Sequence, residues 1–339
     1  MQSKTATIED VARLAGVSIA TVSRALHHPA KVAEATRKKV LAAIDSTGFT
    51  ANAMAQSLRL KSTRMILVIV PDIGNTFFAS ILRGLEAVAQ QRGYGLLIGN
   101  SENDPAIEET YVSYLRSGKV DGLVLLSGRL PWPAGSIPAN PPPMISVCEE
   151  IEMPGLPFIG IDNQAAARLA TEHLIAAGHR RIAYVAGPAR NILTRQRQDG
   201  YAAALAAAGI PLDPGLLLPG DFSIESGVRA AASMDGMEEP PTAFFCANDE
   251  MAIGVIMELT RRGLKVPEDV AVMGFDDIQF SSCTTPPLTT VRQPRREIGE
   301  EAMGVLLDLI ETGTPPSLHR LLPVELVVRG STGMPAGTK

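Results

Sequence analysis

Cysteine is scarce in this 339-residue chain, and the three present, Cys148, Cys246 and Cys283, lie far apart with no CxxC pair. A disulfide framework or thiolate zinc site is therefore not expected, and buried free thiols are. No apolar run approaches the roughly 20 residues of a membrane span. The opening MQSKTATIEDV lacks the apolar core of a signal peptide, so the chain is expected in the cytoplasm and off the membrane. Enzyme signatures are missing as well: there is no GxSxG elbow, no phosphate loop of the GxxxxGKS or GxxxxGKT type and no HExxH. His27 and His28 lie near the N-terminus, while His173, His179 and His319 have no Cys or carboxylate at ligand spacing. His179, after Gly178, reads as a helix-end residue. No catalytic group, metal or cofactor is expected.

The charge is acidic overall, with 36 Asp and Glu against 31 Lys and Arg, but it is unevenly placed. Residues 1–64 hold ten basic side chains against four acidic ones, a balance of +6. The remainder holds 21 against 32, a balance of −11. A basic module for phosphate contact joined to an acidic body that avoids it has this distribution.

Within the basic part, Thr7–Leu26 reads TIEDVARLAGVSIATVSRAL. Ile8, Val11, Ala12 and Ala15 recur at helical spacing, and Thr7 with Asp10 can form a capping box. Gly16 supplies a stop and Ser18 an N-cap for a second helix, Ile19–Leu26, with Val22 and Leu26 inward. Ile19, Ala20, Thr21, Ser23 and Arg24 are left outside. Helix, short turn and helix with a small polar outer face is the pattern of a helix-turn-helix DNA reader. A third helix is expected over 33–47, with Val40, Leu41 and Ile44 inward and Gly48 as its stop. Arg37, Lys38 and Lys39 either touch phosphates or are simply solvated. Asn52–Leu60 is too short a helix to stand alone, so it is either a plain linker or a segment that orders when bound.

From Met65 onward strands and helices alternate. Met65–Val70 is a continuous apolar run, as in a parallel strand buried on both faces. Further strands are expected at 95–98, 121–126, 144–147, 158–161, 182–186, 216–218, 243–246, 270–274, 289–291 and 322–328. Helices are expected at 75–93, 107–118, 165–177, 197–208, 225–234, 250–263 and 298–312. The alternation, in two sets, predicts two doubly wound α/β lobes with ligands held at the carboxyl ends of their strands. Those ends carry Asn75, Asn248 with Asp249, Phe275 with Asp276 and Asp277, Arg195 and Arg197 ahead of a helix, Phe222, and Gln293. Amides, carboxylates and guanidinium groups beside aromatic rings suit a hydroxylated ligand. Asn248 and Asp249 equally suit plain helix capping.

Thr7–Leu26, Asn52–Leu60, Val70–Ile73, Phe275–Asp277, Pro286–Val291 and Arg329–Thr332 together resemble the lactose/galactose repressor family of bacteria, over almost the whole chain. Ile69–Ile73, Ser127–Pro131, Gly263–Asp269 and Gln293–Gly299 look closest to its cytidine repressor branch. The resemblance implies an α/β fold with an N-terminal three-helix helix-turn-helix headpiece (1–50), a hinge helix and linker (51–64), and a core (65–339) of two doubly wound α/β lobes similar to type I periplasmic binding proteins. Lobe one would span about 65–161 and 293–321, and lobe two about 162–292 and 322–332. It also implies a homodimer on a palindromic double-stranded DNA operator. The tail 333–339 lacks the apolar heptads of a tetramerisation segment. Ser18, Ile19, Ala20, Thr21, Ser23 and Arg24 would face the major groove, with Arg24 able to grip a guanine bidentately. Ile8, Lys31, Thr36 and Asn52 would touch the backbone, and Leu58, beside Ala55, would wedge the minor groove. A sugar or nucleoside effector would meet Asn75, Phe77, Phe78, Ser127, Glu149 (or its neighbour Cys148), Arg197, Phe222, Asn248, Asp276 and Gln293. The other classes open to such a core are a solute-binding protein, which would carry a signal peptide and no headpiece, and an enzyme that processes a nucleoside or sugar.

Overall fold

Thr7 starts the first helix as its sequence predicts. Its hydroxyl accepts from the Asp10 N–H (3.3 Å) while the Asp10 carboxylate accepts from the Thr7 N–H (3.0 Å), closing a capping box. The computed structural model of the protein describes residues 6–49, 62–133, 136–138, 141–314 and 318–333. The chain divides into two compact units, Met1–Thr63 and Arg64–Lys339.

In the first unit α1 (Ile8–Ala15) ends on Gly16, whose φ of 67° is the left-handed conformation that glycine adopts at little cost. The Ser18 hydroxyl then accepts from the Thr21 N–H (3.2 Å) to cap α2 (Ile19–His27), and α3 (Glu34–Thr47) ends on left-handed Gly48. Val11, Ala12, Val22, Ala25, Val40 and Ala43 form the core, ringed by half-buried Ile8, Ala15, Val17, Leu26, Val32, Ile44 and Phe49. Leu41, expected inward, is 48% exposed. Val40 and Ala43 take the inward positions at i and i+3, and Leu41, one residue or about 100° round the helix, faces out. The apolar run 40–44 hides that choice.

The second unit holds two six-stranded sheets. The first runs β11-β5-β4-β3-β1-β2, with β1 Met65–Val70, β2 Gly95–Asn100, β3 Gly122–Leu125, β4 Met144–Val147, β5 Phe158–Gly160 and β11 His319–Leu321. The second runs β12-β10-β9-β8-β6-β7, with β6 Ile182–Val185, β7 Leu217–Leu218, β8 Ala243–Cys246, β9 Ala271–Asp276, β10 Thr289–Arg292 and β12 Glu325–Val327. All described pairings are parallel except β10 with β12. The helices are α4 (Phe77–Gln91), α5 (Pro105–Arg116), α6 (Asn163–Ala176), α7 (Ile192–Ala207), α8 (Ile224–Ala232), α9 (Asp249–Arg261) and α10 (Arg295–Thr312). The chain passes between sheets after β5, after β10 and after β11, so the strand ends of both sheets meet along three crossing segments.

Helix pairs close on glycine. A Cβ on Gly254 of α9 would lie 2.0 Å from the Ile224 carbonyl oxygen of α8, and one on Gly227 of α8 would lie 2.0 Å from the Met251 carbonyl oxygen of α9. Such an approach brings backbone against backbone and tolerates no side chain.

Three expectations change. The helix expected over 197–208 begins at Ile192, because Asn191 caps it by accepting from the Leu193 N–H (2.7 Å); Arg195 and Arg197 are therefore inside α7 rather than ahead of it. Cys283 is exposed, unlike buried Cys148 and Cys246, since it follows a surface 3-10 turn, Gln279–Ser282. Leu322–Val328 contributes only Glu325–Val327 as an antiparallel edge strand, and His319–Leu321 adds an edge that its sequence does not announce.

Candidate functional site

The outer face of α2 offers one candidate surface. Ser18, Ala20 and Arg24 are exposed, Ile19 is 45% exposed, and Thr21 and Ser23 are half-buried, all turned away from Val22 and Ala25. The Ser18 and Thr21 hydroxyls lie 2.9 Å apart, so part of this small polar surface is already ordered. Lys31 is exposed at the end of the 3-10 turn Pro29–Lys31, Thr36 is half-buried near the start of α3, and Ile8 packs on the small core. Asn52, Ala55 and Leu58 lie outside the described residues.

The second candidate sits at the strand ends of the larger unit. Arg197, only 3% exposed, donates through Nε to Asn163 Oδ1 (3.0 Å) and through Nη1 to the Ala247 carbonyl, and its guanidinium lies 3.9 Å from the Phe275 ring centroid. Asp276, 5% exposed, approaches Arg197 Nη1 at 3.8 Å and accepts from Gln293 Nε2 (2.7 Å). The 3.8 Å separation is loose, because the guanidinium spends its best donors on Asn163 and Ala247. Burial therefore outweighs the pull of Arg197 and pushes the Asp276 carboxyl up to about 7.

Asn248 does what its place before α9 predicts: its Oδ1 accepts from the Met251 N–H (2.9 Å) and caps the helix. Its amide nitrogen donates to the Phe222 carbonyl (2.9 Å), which holds Phe222 at a φ of 71°. Both halves of the Asn248 amide are thus engaged, and its part in the site is to fix the aromatic wall. A Cβ at Gly187 would strike the Phe222 ring at 2.2 Å and Thr194 Oγ1 at 2.6 Å, so these two flank one bare stretch of backbone.

On the other sheet Asn75 Oδ1 accepts from the Phe77 N–H (2.9 Å) at the entry to α4, and the Phe77 and Phe78 rings meet edge-on at 5.2 Å. Ser127 follows β3, and its buried hydroxyl has no hydrogen-bond partner among the described residues. Glu149 lies over Gly128, where a Cβ would come within 2.2 Å of its Oε2. Its Oε1 accepts from Asn191 Nδ2 (3.0 Å), which bridges the two sheets' loops. Burial pushes the Glu149 carboxyl up to about 7 against the opposing effect of that hydrogen bond. Cys148 beside it is buried with a φ of 65°, and burial drives its thiol up and keeps it protonated.

The structure thus ties together Arg197, Asp276 and Gln293, then Asn248 and Phe222, then Phe77 and Phe78, with Ser127 and Glu149 at neighbouring strand ends. Arg295 links the sets by donating to the Phe77 carbonyl (3.5 Å) and the Asp277 carbonyl. Asn163, Thr194, Asn191 and Arg295 are members that the sequence reading missed; only the helix start at Asn191 had a local signal, an Asn ahead of an apolar pair. Among the described residues no group of His, Cys, Asp and Glu could hold a metal ion. Directional donors and acceptors beside ring walls fit the binding of a hydroxylated ligand.

Comparison with known proteins agrees. Residues 7–52 match the profile of bacterial regulatory proteins of the lacI family, and residues 171–332 match the periplasmic binding protein-like domain. The chain is 43% identical over 332 residues to the HTH-type transcriptional repressor CytR of Escherichia coli K12, covering 98% of this chain and 97% of that one. It is 38% identical over 336 residues to the ribose operon repressor of the same organism, covering 96% and 99%. The structure of the lac repressor dimer bound to operator and the anti-inducer ONPF superposes with a TM-score of 0.84 at 31% identity, covering 97% and 99%.

Proposed function

The chain belongs to the lacI family of bacterial regulatory proteins, and from that premise we propose that it is a repressor that binds a palindromic DNA operator as a homodimer and is switched by a small sugar or nucleoside. It is a transcriptional regulator and not an enzyme, and it acts where its DNA is, in the cytoplasm. The observation that carries the reading is the union in one chain of a capped helix-turn-helix unit and a core whose strand ends gather Arg197, Asp276 and Gln293 in a buried polar cluster.

The division of labour follows the residues. Residues 1–50 are the headpiece, 51–64 the hinge and linker, and 65–339 the effector and dimerisation core, with lobe one at about 65–161 and 293–321 and lobe two at about 162–292 and 322–332. Ser18, Ile19, Ala20, Thr21, Ser23 and Arg24 face the major groove. There Arg24 alone can make a bidentate pair with guanine, and Ile19 and Ala20 offer apolar contact to a thymine methyl. Ile8, Lys31, Thr36 and Asn52 hold the backbone; Leu58 and Ala55 act in the minor groove. In the core, Arg197, Asp276 and Gln293 read ligand hydroxyls. Phe77, Phe78 and Phe222 supply ring walls, Asn248 fixes Phe222, and Asn75, Ser127 and Glu149 complete the lobe-one side. A ligand that favours one arrangement of the lobes shifts the equilibrium of the hinge, and operator affinity with it.

Selection of duplexes from a random pool, followed by fluorescence anisotropy on the winner, tests this. The expected winner is an inverted repeat whose affinity falls steeply with salt. D-Ribose, cytidine, uridine, adenosine and D-glucose are then screened by thermal shift, and the binder is expected to change operator affinity. Recovery of no inverted repeat, or a ligand that binds without altering DNA affinity, overturns the reading; the second result would favour a solute-binding protein.

A further inference from the structure

Asp249 is the first residue of α9 and is fully buried, yet it does not cap that helix, because Asn248 does. Its Oδ1 accepts from Thr290 Oγ1 (2.6 Å), and its Oδ2 accepts from Ser281 Oγ (2.6 Å) and the Ile278 N–H (2.9 Å). These donors come from β10 and from the turn after β9. They bracket Asp276 and Asp277, which hold φ values of 125° and 54° that non-glycine residues rarely adopt. Thr290 Oγ1 also accepts from the Asp277 N–H (3.3 Å). Two residues before Asp276, a Cβ on Gly274 would lie 2.2 Å from Asp249 Oδ1, so the carboxylate fills the space a side chain would need. A buried carboxylate is costly where an apolar residue would pack, unless its geometry serves something.

We propose that Asp249 is a positioning residue of the effector site: its carboxylate clamps β10 and the turn 278–281 so that strained Asp276 stays aimed at Arg197 and Gln293. This rests on the effector reading above. The charged and titratable groups facing Asp276 are Arg197 of α7, Arg295 of α10, Asp249 itself and the protonated thiol of Cys148 after β4, with the Gln293 amide alongside; those facing Asp249 are Asp276, Asp277 and the protonated thiol of Cys246 on β8. Asp249 thus holds Asp276 by geometry and repels its ionised form by charge.

A ligand-free double-mutant cycle on the full chain tests the clamp, with thermal unfolding of native protein, D249N, D276N and the double variant at pH 5.5 and 8.0. At pH 8.0, D249N removes both the clamp and the repulsion from the native chain, whereas in the D276N background only the clamp is lost. The fall in Tm is therefore expected to be smaller in the native background by about 2 °C or more, and the gap should close at pH 5.5, where Asp276 is protonated. Equal falls in both backgrounds at both pH values would reduce Asp249 to a structural anchor and overturn the proposal. If D249N does not fold, T290V, which deprives Oδ1 of its donor but leaves the Asp249 charge in place, is carried through the ligand arm instead, with T290S expected to behave as native. In the ligand arm cytidine is the probe: D249N or T290V should weaken its binding at least about fivefold, and T290S should not; unchanged binding overturns the clamp. A native chain that binds none of the screened compounds sinks the effector reading instead, and the ligand-free cycle then decides on Asp249 alone.

Discussion

The headpiece and the core cleft use similar side chains in opposite ways. The groups proposed to read DNA, Ser18, Ile19, Ala20, Thr21, Ser23 and Arg24, lie outside a core of six small residues. At the strand ends of the core Arg197, Asp276, Asn248 and Gln293 are all buried and hydrogen-bonded. A long polyanion can be met from outside, because its phosphates supply most of the affinity and salt screens the rest. A small uncharged molecule has no such reserve; it must be surrounded by groups whose ordering is already complete. The backbone records the same difference. Cys148, Phe222, Asp276 and Asp277 all hold positive φ around the cleft, while positive φ in the described headpiece falls on glycine, at Gly16 and Gly48.

The largest expected effect follows from burial. Arg197→Ala leaves Asn163 Oδ1 and the Ala247 carbonyl without this donor and Asp276 without the cation beside it. A hydrogen bond from a charged donor is worth about 1.5–3 kcal/mol, or roughly tenfold or more in ligand response. Operator binding without ligand should survive, as anisotropy titrations with and without effector would show; loss of both together would break the separation of the two regions. Arg197→Lys should not rescue, because one ammonium cannot reach the same partners.

The same substitution should carry different costs in the two units. Gly254→Ala places a Cβ 2.0 Å from the Ile224 carbonyl oxygen, and overpacking of this kind costs about 1–3 kcal/mol or more. Gly16→Ala meets nothing within 4 Å, and only its φ of 67° opposes it, at about 1 kcal/mol. Urea unfolding followed for each unit measures both; equal losses would mean that the helix contact at Gly254 relaxes freely.

Much of this was legible in the sequence, for local reasons. The capping box at Thr7, the N-cap at Ser18 and the stops at Gly16 and Gly48 are decided by a few neighbouring residues, and the structure has them all. Buried runs such as Met65–Val70 announce parallel strands in the same way. Other features depend on distant partners. Pro286–Val291 and Arg329–Thr332 look like signature motifs, and their work is to bind each other: Ser331 Oγ accepts from the Thr289 N–H (2.8 Å), and Thr332 Oγ1 sits 2.9 Å from Thr289 Oγ1 and from His173 Nε2. Asn163 and Thr194 join the cleft only through folding, and nothing beside them in sequence says so. Arg197 stands out in sequence as a cation near strand ends, but its helix is expected to begin at 197, although Asn191 ahead of the apolar pair Ile192–Leu193 is a local cap signal.

Smaller in scope is Arg24→Ala. An exposed arginine that pairs bidentately with guanine should lose about 1–3 kcal/mol at a single operator position, with other positions nearly unchanged. Comparison of the native and variant chains on operators substituted base by base would show it. A uniform loss across all sequences would make Arg24 a phosphate contact and bring the headpiece's code closer to indirect readout of DNA shape.

The subtlest test is acid–base. Folding raises the Asp276 carboxyl to about 7 from an unfolded value of about 3.9, so the native state binds its proton more tightly than the unfolded chain does. Its contribution to stability is present below about pH 4 and is lost as pH climbs through about 7. Glu149, also raised to about 7, acts in the same direction. Asp276→Asn does not titrate, so its stability should fall less between pH 5 and 8, by about 2–3 kcal/mol over that window. Parallel denaturant curves for the two chains would remove the effect. A ligand whose hydroxyls donate to Asp276 favours the ionised form, so in its presence the slope for the native chain should flatten. At the strand ends of the core Asp276 is buried and raised to about 7, and a hydroxyl that donates to its ionised form lowers the cost of that burial.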